Sequence, residues 1–319
     1  LSVLDVGGND STFLGCFNKD CFKLGVDPTG NRFADTYKKN KAKLISDFFS
    51  YNKVNVNFPN KKFDIIVSYA MFYCIEDPLS FCKDIFKLLN KDGIWNLELS
   101  YWPMLIQNMT WDQICHEHVT YFDLTTLRKV LAKAGIKVLD VSFNEINGGS
   151  FNVICAKNKS SLKPNIKQIN KVIESEKIFY NDKSLSNFAM RVNNSGKVMK
   201  EFLNLLKENK KTVIGYGAST KGNVILNYSK IDKSLIKFIC DQNPIKINKR
   251  VTPGTRIKII SKPEMRKMKC DYLFVLIWSF REEVIKQEIS FIKKGGKIII
   301  PLPVFHIIDK YNYKNYLNR

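Results

Sequence analysis

The sequence predicts an α/β protein with two Rossmann-like parallel sheets, one in each half of the chain. An apolar strand followed by a glycine turn and an amphipathic segment occurs at residues 1–14 and again at residues 212–223. Four β-α units also follow one another in the first 100 residues, which favours a parallel sheet with its ligand site at the carboxyl ends of the strands. The 319 residues are enough for two hydrophobic cores.

The composition is that of a globular protein, with 45% hydrophobic and 25% charged residues. No run approaches the roughly 18 apolar residues of a membrane span, and no secretory signal is visible. The closest pair of the eight cysteines, Cys16 and Cys21, lacks CxxC spacing, so we expect reduced thiols in a cytoplasmic protein. The chain opens on Leu1 rather than Met, which suggests that an N-terminal portion is absent.

The formal net charge of +21 permits two interpretations. A strongly basic chain can bind nucleic acid. The lysines, however, are spread over nearly every predicted helix and loop, as in a chain from an A- and T-rich genome. A basic protein also suits an anionic small substrate such as a nucleotide diphosphate, and convergence of positive charge on one cleft would distinguish these interpretations.

The first β-α unit places an acidic residue beside a glycine turn. The apolar strand 1–6 contains Asp5, and Gly7-Gly8-Asn9-Asp10-Ser11 follows it, which gives DxGxxxS rather than the dinucleotide pattern GxGxxG. A glycine lets the backbone approach a ligand closely, and an acid here can meet the ammonium group of an amino-acid-like ligand. We therefore expect Asp5, Gly7 and Asn9 to bind S-adenosylmethionine (SAM), with a purely structural turn as the alternative.

The next strands supply further candidates for the cofactor site. Strand 24–26 ends in Asp27, where a carboxylate can bond ribose hydroxyls. Asp47 is expected at the adenine, although a surface loop is an equal interpretation, and Ser68 ends strand 63–68 at the same expected edge. The remaining elements predicted in this half are helix 79–90, strand 94–100, helix 124–135 and strands 136–143 and 150–156, the last two forming a hairpin with one antiparallel strand.

A histidine-rich stretch lies between strand 94–100 and helix 124–135. Two of the three histidines, His116 and His118, flank Glu117. Histidine is the natural proton acceptor near neutral pH, so this is a candidate acid–base centre. A metal pair or a hydrogen-bonded turn is the alternative, but zinc needs at least a third ligand and the spacing nominates none, so we expect no metal.

The second half repeats the β-α pattern after a linker. Strand 212–214 leads into Gly215-Tyr216-Gly217-Ala218-Ser219-Thr220-Lys221, which lacks the third glycine of the dinucleotide pattern, and a later strand ends in Asp241. The turn is either a nucleotide-phosphate cradle using Lys221 and backbone N–H groups or a turn that serves packing only.

The predicted domains are 1–158 for SAM, 159–210 as linker and helical segment, 211–305 as a substrate- or nucleotide-binding domain, and 306–319 as a tail.

Taken together, these motifs resemble those of the nucleotide-sugar C-methyltransferases, which add a methyl carbon to dTDP-linked keto-deoxysugars. The resemblance covers nearly the whole chain and rests on Asn9-Asp10, His116-Glu117-His118, Tyr121-Phe122, Gly148-Gly149-Ser150, Gly215-Tyr216-Gly217-Ala218, Lys221-Gly222-Asn223, Asn227-Tyr228, the segment 241–246, Pro253-Gly254-Thr255 and the segment 278–303. It implies a class I SAM methyltransferase sheet followed by the smaller Rossmann-like domain.

The resemblance also implies a chemistry. His118 would remove the proton next to a sugar keto group, and the resulting enolate would attack the methyl group of SAM. Glu117 and His116 would assist in catalysis, and Tyr121, Lys221 and Asn223 would contact a small nucleotide-sugar, with neither nucleic acid nor membrane as partner. The chain departs from the family pattern at Cys115, where a tyrosine is usual, at Ser11, where the third glycine of the loop is usual, and in lacking an N-terminal zinc module.

Other functions stay open on sequence grounds. They are an O- or N-methyltransferase that still uses His118, a catalytically silent SAM- or nucleotide-binding protein, a basic nucleic-acid binder, and an NAD-dependent enzyme using the second glycine turn. The NAD-dependent enzyme is disfavoured because that turn lacks its third glycine.

Overall fold

The computed structural model describes residues 1–317, which divide into two compact units. The first unit comprises Leu1–Pro103 and Glu117–Tyr180, and the second comprises Met104–His116 and the chain from Asn181 onward. The chain therefore leaves the first unit after Pro103 and returns to it at Glu117. Residues 159–210, treated above as one linking segment, are shared between the two units.

The first unit contains a seven-stranded sheet in the order β3-β2-β1-β4-β5-β7-β6, in which β7 runs antiparallel to both neighbours. This confirms the predicted methyltransferase-type sheet that ends in a hairpin. The strands are β1 (Ser2–Val6), β2 (Phe22–Val26), β3 (Lys43–Ile45), β4 (Phe63–Tyr69), β5 (Leu89–Ser100), β6 (Ile136–Asn144) and β7 (Ser150–Lys157).

The helices beside this sheet start where the sequence provides caps. Asp77 precedes Pro78 and accepts a hydrogen bond from the Ser80 N–H, and Asp123 accepts one from the Thr126 N–H. The helices are α1 (Thr12–Gly15), α2 (Ala34–Lys39), α3 (Tyr51–Asn57), α4 (Pro78–Leu88), α5 (Trp102–Gln107, where the chain leaves the unit), α6 (Leu124–Lys133) and α7 (Ile166–Glu176).

One predicted boundary in this unit is wrong. Helix 79–90 was expected to lead into strand 94–100, but α4 ends at Leu88 and β5 starts at Leu89. The cause is pairing with β4: Leu89 lies opposite Phe63, and after a register shift Ile94 lies opposite Ile65. Tertiary pairing therefore overrides the local turn signal of Asp92-Gly93, which lies inside β5.

The second unit contains a six-stranded sheet in the order β10-β9-β8-β11-β12-β13, parallel except for β13. Its strands are β8 (Val213–Tyr216), β9 (Phe238–Asp241), β10 (Lys258–Ser261), β11 (Tyr272–Val275), β12 (Lys297–Ile300) and β13 (His306–Ile308). Its helices are α8 (Asp182–Glu208), α9 (Thr220–Tyr228), α10 (Lys262–Lys267), α11 (Arg281–Gln287) and α12 (Ile289–Lys293). The two sheets confirm the predicted fold class.

Three features of this unit differ from the prediction. Residues 306–317 are more than a tail, because β13 lies there and pairs with β12. Strand β10 was not predicted, and neither was the break at Glu288 that separates the two helices α11 and α12. The Glu288 carboxylate is buried and bonds the Arg266 guanidinium and the Tyr216 hydroxyl. Within residues 1–317, no helix is both long enough and apolar enough to cross a bilayer.

Candidate active site

The turn after β1 has the conformation that a glycine allows. Gly7 adopts φ +78°, and its N–H donates to the Val26 carbonyl at the end of β2. A Cβ atom built on Gly7 would lie 3.2 Å from Met71 Cγ, so the turn packs against the segment that follows β4. Ser11, which stands where the family usually has glycine, also has positive φ and is fully buried, and its hydroxyl accepts from the Asn40 amide.

Acidic side chains gather beneath this turn. Asp5 is buried at the end of β1, and burial, helped by the charges of Asp27 and Asp10, raises the pKa of its carboxyl from 3.8 to about 7. Such a site disfavours a further negative charge and is stabilised by a positive one. Asp5 therefore fits the ammonium group of an amino-acid-like ligand, as the sequence predicts.

Asp27 ties the ends of β1 and β2 together. One of its carboxylate oxygens accepts from the Asn9 N–H at 3.0 Å, and the other accepts from the N–H and hydroxyl of Thr29, each at 2.7 Å. The side chain is buried. Strand order places its strand beside β1, so Asp5, Gly7, Asn9 and Asp27 come together as expected.

Asp47 and Ser68 differ in their environments. Asp47 follows β3 at the same edge of the sheet, where a hydrogen bond from Lys53 and one from the Phe48 N–H lower the pKa of its carboxyl. Ser68, by contrast, is fully buried and its hydroxyl accepts from the Trp95 indole N–H at 2.8 Å. The Ser68 side chain thus packs in the core, and its contact with the cofactor stays a prediction.

His118 lies beside the segment that follows β4. Its ring centroid is 4.2 Å from that of Tyr73, and the nearby Thr120 N–H donates to the Tyr73 carbonyl at 3.2 Å. Met71, two residues before Tyr73, is the residue that packs against Gly7. The short segment 71–73 therefore contacts both the glycine turn and the predicted base.

The other residues of the histidine stretch have different surroundings. Glu117 is exposed in the first unit, whereas His116 is exposed and belongs to the second. The Tyr121 ring is half-buried, 5.8 Å from the Trp102 ring between centroids. Among residues 1–317, no group of three or more histidine, cysteine, aspartate or glutamate side chains is arranged to hold a metal ion.

The second unit has its own glycine turn. Gly217 adopts φ +89°, its N–H donates to the Cys240 carbonyl, and the Ala218 N–H donates to the Asp241 carboxylate at 2.9 Å. Ser219 caps α9 by accepting from the Gly222 N–H. The predicted site residues Lys221 and Asn223 lie in the first turn of this helix.

A buried aspartate that sequence reasoning missed lies near Lys221. Asp112 is completely buried and accepts from the Trp278 indole N–H at 2.7 Å. Burial raises the pKa of its carboxyl to about 6, while the Trp278 hydrogen bond and the charge of Lys221 oppose that rise. Burial conversely lowers the pKa of the Lys221 ammonium, against the charges of Asp112 and Cys115. The only sequence signal for Asp112 is that it is a single acid in a mainly apolar stretch.

Two family models match the chain. Residues 1–141 match a methyltransferase domain, and residues 145–303 match a C-methyltransferase C-terminal domain. The C-methyltransferase NovU of Streptomyces niveus is 27% identical over 310 residues, which is 96% of this chain and 73% of NovU.

Solved structures resemble the chain more distantly. A methyltransferase in complex with the Haloferax volcanii Trm112 activator is 14% identical and covers 49% of this chain and 82% of its own, with a TM-score of 0.41. The N-methyltransferase NodS from Bradyrhizobium japonicum is also 14% identical and covers 49% of this chain and 85% of its own, with a TM-score of 0.38.

Proposed function

The chain is a SAM-dependent C-methyltransferase, and on that premise we propose that it methylates a carbon next to the keto group of a nucleotide-linked deoxysugar, with His118 as the general base. The observation that carries the assignment of the base is the position of His118. Through residues 71–73, it shares the carboxyl edge of the first sheet with the glycine turn.

The residues at the first glycine turn fit SAM. When bound, SAM supplies a methyl group on a positively charged sulfur, a strong electrophile. Asp5 would face the cationic amino-acid end, because its buried carboxyl lies among other acids and is stabilised by positive charge. Gly7 and Asn9 would let the backbone approach SAM closely. Asp27 would accept hydrogen bonds from the ribose hydroxyls, and Asp47 would lie at the edge of the adenine ring.

The base and its neighbours would generate the carbon nucleophile. A keto group acidifies the adjacent sugar carbon, and His118 would take that proton, so that the electron pair of the C–H bond becomes an enolate. This carbon would bond to the methyl group as the methyl–sulfur bond breaks with its electron pair left on sulfur, which gives S-adenosylhomocysteine. Tyr121 would donate to the substrate, and Glu117 and His116 would orient it. A positioned general base contributes about 10²–10⁴-fold to rate.

The second glycine turn would hold the nucleotide. Lys221 supplies a cation at the start of α9, and the N-terminus of a helix favours phosphate. Asn223 is half-buried on the same helix, and within the described part of the chain its side-chain oxygen has no hydrogen-bond partner. A nucleotide could pair with that group, so Lys221 and Asn223 are the proposed substrate contacts.

The test separates proton abstraction from methyl transfer. A dTDP-linked keto-deoxysugar is incubated with the enzyme in D2O without SAM, and deuterium uptake next to the keto group is followed by NMR. We expect uptake with the wild type, a loss of about 10²–10⁴-fold with His118→Ala, and normal uptake with the control His306→Ala. SAM binding to His118→Ala should be retained.

The product is then identified with labelled SAM. A new C-methyl branch that resists acid hydrolysis supports the proposal, whereas an O-methyl product contradicts it. Near-normal deuterium uptake by His118→Ala would remove His118 from the role of base.

A further inference from the structure

The segment that carries the histidines leaves and rejoins the first sheet at a single point. Tyr101 forms a parallel bridge with Phe122, and the Trp102 N–H donates to the Phe122 carbonyl at 2.9 Å. We call the intervening residues 103–121 the excursion. Its ends are close together in space, although the chain passes through the second unit between them.

One buried carboxylate bonds both sides of this crossing. On the outgoing side, the Tyr101 hydroxyl donates to Glu176 Oε1 at 2.8 Å. On the returning side, the Leu124 N–H donates to Oε1 at 2.6 Å, and the Thr125 N–H and hydroxyl donate to Oε2 at 3.0 and 2.5 Å. Glu176 lies at the end of α7 and is 0% exposed.

These hydrogen bonds satisfy two kinds of buried group, the Glu176 carboxylate and the first N–H groups of α6. A buried carboxylate is expensive unless donors surround it, and here four donors do so. The first N–H groups of a helix lack partners within it, and those of Leu124 and Thr125 at the start of α6 find theirs on Glu176. A helix cap alone would not require the fourth donor, the hydroxyl of Tyr101, which directly follows β5 on the outgoing side.

The adjacent residues reinforce the returning side. Asp123 accepts from the Thr126 N–H at 2.6 Å and from the Tyr180 hydroxyl, so the chain just after α7 also bonds the start of α6. His118 lies five residues before Asp123, on the returning arm of the excursion. Its position therefore depends on where that arm is fixed.

We propose that Glu176 is a positioning residue, whose carboxylate fixes both ends of the excursion and thereby sets the place of His118. The catalytic consequence rests on the proposed role of His118 as base. The structural part, that Glu176 orders residues 103–121, does not.

The test uses Glu176→Gln in the full chain. This change keeps the size of the side chain but turns an NH2 group toward donors that need an acceptor. We expect kcat to fall about 100-fold because a small displacement of a catalytic group has that effect. SAM affinity should stay within about 3-fold, since ground-state binding is not removed. Hydrogen exchange should accelerate in residues 103–121 and stay unchanged in β6 and β7.

A matched control exists in the second unit. Glu288 is also buried and also accepts from a tyrosine hydroxyl, that of Tyr216, but its other hydrogen-bond donor within residues 1–317 is the Arg266 guanidinium of the same unit. Glu288→Gln should leave hydrogen exchange in residues 103–121 unchanged.

Two further variants remove one hydroxyl donor each. Tyr101→Phe removes the donor on the outgoing side, and Thr125→Val removes one on the returning side. Each should accelerate hydrogen exchange in part of the excursion.

Two results would overturn the proposal. One is wild-type exchange and kcat in Glu176→Gln. The other is faster exchange across the whole first unit, which would make Glu176 a general stabiliser. If the wild type methylates no keto-sugar, the function proposed above fails, and the exchange pattern alone then decides the ordering role of Glu176.

Discussion

Asp5 shows how the surroundings of a single residue can indicate the charge of a ligand. Its raised pKa, about 7, reflects burial first and the neighbouring acids Asp27 and Asp10 second. A carboxyl that served only the turn would be more stable with donors around it, as Asp27 is. Asp5 is instead placed where a cation would restore its charge.

This placement predicts a pH-dependent affinity for SAM. Ionised Asp5 attracts the cationic ligand and protonated Asp5 does not, so binding should weaken as pH falls below about 7. The loss should approach about 10-fold per pH unit well below that value, and titration calorimetry between pH 5.5 and 8 measures it.

Two variants test the assignment of this titration. Asp5→Asn should bind SAM more weakly and with little dependence on pH. Asp10→Asn removes one of the charges that raise the Asp5 pKa, so the midpoint should shift to lower pH. An unchanged pH dependence in Asp5→Asn would assign the titration to another group.

At the scale of elements, the two glycine turns are built to one plan. In each, the glycine after the first strand of a unit has positive φ and donates its N–H to a carbonyl near the end of the neighbouring strand, that of Val26 or Cys240. The acid that follows that carbonyl, Asp27 or Asp241, accepts from an N–H of the turn. The shared construction favours a ligand site at both turns over a turn that serves packing only.

The second turn leaves no space for a side chain at its glycine. A Cβ atom on Gly217 would lie 2.6 Å from Ile277 Cγ2, in addition to the strain of φ +89°. Gly217→Ala should therefore lower the free energy of unfolding by about 1–2 kcal/mol from the backbone and by about 1–3 kcal/mol more from overpacking. Denaturant unfolding measures the sum.

A variant at Gly295 separates the cost of backbone strain from the cost of overpacking. It has φ +98° with open space around its Cβ position, so Gly295→Ala should show the backbone cost alone, about 1–2 kcal/mol. Equal losses in the two variants would mean that Ile277 moves aside without cost.

The sequence predicted elements that depend on local pattern and missed those that depend on distant partners. The glycine turns, the β-α order and the final antiparallel strand follow from hydrophobic runs and turn residues. The start of β5 depends on pairing with Phe63, and β13 depends on β12. Likewise, Asp112 and Trp278 are 166 residues apart, so their hydrogen bond has no signature in either segment.

At the scale of the whole molecule, the chain has two sheets, and each sheet has a glycine turn after its first strand. Each unit has its own buried core, and each turn has its own charged residue nearby, the acid Asp5 in the first unit and the base Lys221 in the second. This difference in charge is consistent with the proposed cationic cofactor in one unit and the proposed phosphorylated substrate in the other.

The division predicts that two ligands stabilise different parts of the chain. A ligand that binds only the folded state adds about 2.7 kcal/mol at 100 times its Kd. SAM should slow hydrogen exchange around residues 5–9 and 27, and dTDP should slow it around residues 215–223. Asp5→Asn should abolish the first effect and keep the second, whereas Lys221→Met should do the reverse. Protection of residues 215–223 by SAM alone, lost in Lys221→Met, would instead assign the cofactor to the second turn.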